Sequence, residues 1–129
     1  MIGVNKGAKR QSVEEVIDMF KKGNRDLHDA YRKIKETEKE IPDIVASLEQ
    51  LTDILCQVTY FNKAFDLLKI ALEDIKGNPI LFELIARVCF IMEMFDKSVY
   101  YNKKAAELQP DNCFHNWSDM GLGYYRLGL

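Results

Sequence analysis

Two stretches, "FNKAFDLLKIALEDIKGN" (61–78) and "FDKSVYYNKKAAELQPDN" (95–112), repeat nearly the same message 34 residues apart. At that offset Phe61/Phe95, Lys63/Lys97, Lys69/Lys103, Ala71/Ala105, Glu73/Glu107 and Asn78/Asn112 are identical, and Ala64/Ser98 exchanges small for small. Leu27 and Ala30 fall on the same period, one step before Phe61 and Ala64. A fixed period of this size marks a supersecondary unit that cannot cover its own apolar face alone and is therefore written again and stacked.

The unit is helical. Ser12 precedes "VEEVIDMFKK", with Glu14 and Glu15 in the first turn, which reads as a helix start. Val13, Val16, Ile17 and Phe20 share one face of that helix. Gly23 and Asn24 break the run, and Leu27, Ala30, Tyr31 and Ile34 begin a second one, which Pro42 is expected to stop or kink. Further apolar stripes follow at Leu48–Val58, Phe61–Leu72, Phe82–Met92, Phe95–Leu108 and Trp117–Leu127. Gly77 suits a left-handed helix cap, and Pro79 suits the first turn of the next helix. No segment alternates with period two, so strands are not expected. The expected class is all-α, with about seven helices as antiparallel helix-pair repeats. A flexible tail (1–10) would precede a helical domain (11–129) with repeats at 45–78 and 79–112.

At 129 residues, one domain is expected. With 47% apolar and 29% charged residues, the chain has material for a packed core. A net charge of −2 argues against a duplex nucleic-acid binder, which needs a basic face. Cys56, Cys89 and Cys113 show no C-x-x-C spacing, so free thiols in a reducing, cytoplasmic setting are the expectation. The N-terminus "MIGVNKGAKRQ" has no apolar core, so no secretory signal is expected. The most apolar run, Ile80–Met92, is broken by Glu83 and Arg87, so no membrane association is expected either. His28 and His115 are the only histidines, and neither sits in a nucleophile–base pattern. Cys113 and His115 with Asp111 and Asp119 lack a second ligand pair at useful spacing, and no glycine loop cradles a phosphate. No enzyme, metal or cofactor is expected.

Trp117-x-x-Met120-Gly121-x-x-Tyr124 resembles the opening of the first helix of the tetratricopeptide repeat family. Phe82-x-x-Ile85-Ala86-x-x-Cys89 and Leu48-x-x-Leu51-Thr52-x-x-Leu55 are degenerate versions, and Val13-x-x-Val16-Ile17-x-x-Phe20 keeps the spacing alone. The family's second helix carries an aromatic residue, small residues and an exit proline. Phe95, Ser98, Ala105 and Pro110 match it, as do Phe61, Ala64 and Ala71. The first pair departs at Thr37 and Glu38, where the family has small and apolar residues, so the resemblance makes 11–44 a divergent or capping pair and 113–129 the first helix of an incomplete repeat.

The resemblance implies a right-handed α-solenoid with core aromatics at Phe61 and Phe95. It also implies a concave groove lined by the first helix of each pair. That groove would be made of Glu14, Asp18, Glu49, Asp53, Gln57, Glu83, Arg87, Phe90, Ile91, His115, Leu122, Tyr125 and Arg126. Glu14/Asp18 and Glu49/Asp53 are each four apart and share a helix face. They are either an acidic end for a basic partner or ordinary surface carboxylates. Phe90, Ile91 and Tyr125 would form an aromatic–apolar end. Members of the family that hold chaperone C-terminal tails use a Lys, Asn and Arg clamp. The matching positions here are Glu14 and Asp18, or Glu49 and Asp53, which have the wrong sign for heat-shock chaperone tails.

The resemblance therefore implies a non-catalytic protein–protein interaction module, a piece of a larger scaffold or adaptor. Its partner would be a peptide segment or helix with basic and apolar residues. The alternative is a small chaperone for a secreted or assembling client. Met120, Tyr124 and Leu127 would lack a covering helix, which makes the C-terminal edge an expected surface for self-association.

Overall fold

A computed structural model describes residues 8–128. Among them the chain forms seven α-helices: α1 (Gln11–Lys21), α2 (Leu27–Thr37), α3 (Ile41–Gln57), α4 (Phe61–Asp74), α5 (Pro79–Ile91), α6 (Phe95–Leu108) and α7 (Phe114–Arg126). A short 3-10 turn, Pro110–Asn112, joins the last two. No strand occurs among the described residues.

Each helix packs on its neighbour in sequence, and α1 on α3, α3 on α5 and α2 on α4. The core is a continuous apolar cluster. It runs from Val13 and Val16 through Ile34, Leu48, Leu51, Leu67 and Leu68 to Leu81, Ile85 and Val88, all fully buried. Small residues occupy the close crossings: Ala30, Ala64, Ala71 and Ala105 are inaccessible and Ser98 nearly so. Phe61 and Phe95, expected as core aromatics, are only partly buried. Each opens its helix, so one side of the ring faces solvent.

The periodicity reaches the backbone. The first helix of each hairpin ends in a residue with left-handed backbone: Gly23 (φ 102°), Thr59 (φ 64°) and Glu93 (φ 61°), with Gly128 (φ 82°) after α7. At Thr59 the turn is closed by Thr59 N–H to Cys56 O (3.0 Å) and Tyr60 N–H to Leu55 O (2.8 Å). Glu93 and Met94 repeat the pattern on Phe90 O (3.0 Å) and Cys89 O (2.8 Å). This pair of hydrogen bonds ends a helix sharply and aims the chain back. A β-branched residue is strained there. Thr59→Gly is therefore expected to raise unfolding stability by about 1 kcal/mol, read from the urea midpoint at constant slope.

Several local expectations shift. Pro42 does not end α2, which stops at Thr37; it sits in the first turn of α3, where its missing N–H is harmless. Ser12 does not cap α1 but lies inside it, inaccessible, with its hydroxyl 2.7 Å from that of Ser47 and 3.2 Å from Glu38 Oε2. Glu38 also accepts from Arg10 Nε (3.0 Å) and Ser47 Oγ (2.9 Å). The polar break at Thr37–Glu38 thus anchors a hydrogen-bonded cluster joining the start of α1, the end of α2 and α3. Of the tail expected at 1–10, residues 1–7 lie outside the described residues. The rest is docked: Gln50 Nε2 donates to Ala8 O (2.8 Å), and Arg10 N–H donates to Gln50 Oε1 (2.8 Å). Met120, expected to be uncovered, is 2% exposed, because that side of α7 packs on α6. Tyr124 and Leu127 do remain exposed, and so does Trp117, which opens the apolar stripe of α7 in the sequence.

Candidate partner-binding groove

A cavity of about 380 Å³ opens where α5 and α7 face each other. Glu83, Arg87, Phe90 and Ile91 line it from α5, and His115, Asp119 and Leu122 from α7. Asn102 reaches it from α6. Close packing behind the cavity fixes its shape. Gly123 lies against α6 so tightly that a Cβ there would come 2.7 Å from Val99 Cγ2. The glycine lets α7 settle on α6, and α7 then presents His115, Asp119 and Leu122 toward α5.

Glu83 holds the upper end together. Its Oε2 accepts from Gln109 Nε2 (2.7 Å), Asn116 Nδ2 (2.9 Å) and His115 Nε2. Asn116 is inaccessible, and its Oδ1 accepts from Gln109 Nε2 at 2.9 Å. Burial works against the charge on Glu83. The hydrogen bonds from Asn116, His115 and Gln109 more than offset it and hold the carboxyl below its usual range. At the lower end Arg126 lies over the rings of Phe90 (5.8 Å) and Phe95 (4.7 Å), which meet edge to face.

Six of the residues assigned to the groove from sequence meet in this cavity: Glu83, Arg87, Phe90, Ile91, His115 and Leu122. Arg126 borders it through Phe90. Tyr125 does not line it and is 76% exposed. Glu49, Asp53 and Gln57 are exposed on α3 and lie outside it. Glu14 and Asp18 line a separate depression with Lys9 and Lys21, and Asp18 pairs with Lys22 at 2.9 Å. Asp53 pairs with Arg87 at 2.8 Å, 34 residues away. Half of the expected acidic end is therefore matched by neighbouring cations.

Asn102 was absent from the sequence-based groove, and Asp119 entered it only as a position matching the chaperone-tail clamp. Asn102 carried a readable signal: it is a polar residue on the stripe that also holds Val99 and Ala106, and it is 4% exposed. All three cysteines are free, burial pushes the Cys89 thiol up to about 11, and burial also raises Cys56. Among the described residues no three His, Cys, Asp or Glu side chains are grouped to hold a metal, and no helix is long and apolar enough to cross a membrane. No family model matches the chain, and no curated protein matches it significantly.

Proposed function

We propose that the chain is a non-catalytic protein-interaction module of the tetratricopeptide type, binding a partner segment along α3, α5 and α7. In this reading the helix hairpins stack as a right-handed solenoid whose inner row is α1, α3, α5 and α7. The repeated left-handed turns at Thr59 and Glu93 support equivalent hairpins. So does the Asp53–Arg87 pair, since residues one period apart meet when such hairpins stack in register. Three free cysteines fit an intracellular, reducing setting.

The observation that carries the reading is the convergence of Glu83, Arg87, Phe90, Ile91, His115 and Leu122 on one concavity. A concave, partly apolar site with a few placed polar groups is how folded domains usually hold a ligand. The apolar wall is where affinity should concentrate, because desolvated aromatic anchors dominate binding energy. Selection of random peptides on the immobilised chain tests this. Enriched peptides are expected to bind the Phe90→Ala and Leu122→Ala variants about tenfold more weakly, mainly through faster dissociation. No enrichment, or peptides indifferent to both variants, would overturn the proposal.

A further inference from the structure

The side chains lining the α5–α7 cavity are unevenly provided with donors and acceptors. Among the described residues that line it, Arg87 is the one permanent cation, and that charge is matched by Asp53 at 2.8 Å; Arg126, at its border over Phe90, pairs with Glu93 at 3.6 Å. His115 already directs Nε2 to Glu83. On the acceptor side, Glu83 receives its three hydrogen bonds on Oε2 alone, and Oε1 has no partner among the described residues. Asp119 is exposed on the cavity wall and forms no ion pair among the described residues. The remaining wall, Phe90, Ile91 and Leu122, is apolar.

Asn102 is the independent observation. It is 96% buried (4% exposed), it lines the cavity, and its amide makes no hydrogen bond among the described residues. Among the described residues the one enclosed side-chain polar atom without a partner is Thr52 Oγ1, so the Asn102 amide is not sealed off; it is open through the cavity, on a stripe where α6 otherwise carries the apolar Val99 and Ala106. A group entering the cavity is what would pair it.

We infer that this cavity is a subsite for one basic side chain of the partner, arginine in preference to lysine. The inference rests on the groove reading above and specifies its chemistry. An anionic group would meet two carboxylates with no uncompensated cation. A purely apolar group would leave the Asn102 amide unpaired. A basic side chain satisfies both demands, since its aliphatic stem covers Phe90, Ile91 and Leu122 while its head reaches the acceptors. Three acceptors on three different helices, Glu83, Asn102 and Asp119, suit the five fixed donors of a guanidinium better than a compact ammonium. A volume of about 380 Å³ is at the small end for ligand sites, roughly 300–1,000 Å³, which fits one long side chain and not a folded segment.

The test uses the whole chain, isotope-labelled for NMR, titrated with the blocked amino acids N-acetyl-arginine amide, N-acetyl-lysine amide, N-acetyl-leucine amide and N-acetyl-glutamate amide. The arginine compound is expected to give saturable shifts at Glu83, the Asn102 side-chain amide, Asp119 and Leu122. The lysine compound should bind more weakly, and the leucine and glutamate compounds weaker still. Asp119→Asn should weaken arginine binding at least fivefold, whereas Asp111→Asn, away from the cavity, should leave it unchanged. Saturable binding led by the leucine compound would overturn the basic subsite and leave the groove reading standing. No saturable shift from the arginine compound would overturn the subsite. So would arginine binding that Asp119→Asn does not weaken. Peptides selected on the groove that lack basic residues would overturn it as well, while upholding the groove itself.

Discussion

Leu68→Ala is expected to lower the unfolding free energy by about 3–5 kcal/mol, the upper part of the range for burying an alanine where a leucine stood. Leu68 is inaccessible in the middle of α4, the helix that packs on α2, α3 and α5. Truncation there removes contacts to several helices at once and leaves a cavity that rigid neighbours cannot fill. Phe61→Ala, on the first turn of the same helix, should cost about 2 kcal/mol, because part of its ring already faces water. A domain of this size is stable by only about 5–15 kcal/mol, so the first substitution takes away a large share. Urea unfolding followed by circular dichroism decides the order. If Phe61→Ala proves the costlier of the two, α4 is rotated from the orientation described.

Glu83→Leu is expected to cost about 3 kcal/mol, with the loss concentrated in α7. The leucine would strip the inaccessible Asn116 of its carboxylate acceptor and remove one of the two acceptors of Gln109 Nε2. Amide exchange should accelerate in Phe114–Arg126 far more than in α3 or α4. Uniform acceleration along the chain would show that the cluster is no local clasp. The same carboxylate sets a pH dependence. Its folded pKa lies below its unfolded value of about 4.5, so it contributes stability that is fully present above that value and lost as pH falls through the folded pKa. Glu38, held low mainly by its hydrogen bond from Arg10, acts in the same direction. Glu83→Gln should therefore flatten the acid limb of the stability curve below about pH 4.5 and lower the curve above it by a constant amount, leaving its slope there unchanged.

The helices were legible because their apolar stripes recur with small residues at fixed places; Ala30, Ala64 and Ser98 are all buried. The starts of α4 and α6 fall at Phe61 and Phe95, where their stripes open, but those of α1 and α3 were not legible: Arg10 and Glu40, which precede them, make no side-chain cap. With no capping residue to read, Ser12 and Pro42 drew attention to the wrong boundaries. Asn78 is the contrasting case. Its side chain accepts from Ile80 and Leu81 N–H, and the start of α5 next to Pro79 was read correctly. Much of the cavity was legible because α5 and the groove-facing side of α7 follow from register. Asn102 was missed since it belongs to a second helix, which the register places behind the groove. The ion pairs on Asp18 and Asp53 were missed because one depends on a rotamer and the other on two hairpins meeting.

Trp117, the single tryptophan, stands 56% exposed on the solvent side of α7. Its indole is thus already wet in the native state, and its emission, excited apart from that of the six tyrosines, carries little contrast between folded and unfolded chains. What contrast it has comes from the last helix alone. Among the described residues neither α1 nor α2 packs on α7 to any large extent. An emission trace therefore follows the loosening of one edge, whereas far-ultraviolet dichroism sums over all seven helices. In a chain whose neighbours couple mainly to neighbours, these two signals need not coincide, and their separation along a denaturant series measures how far melting at α7 precedes the rest.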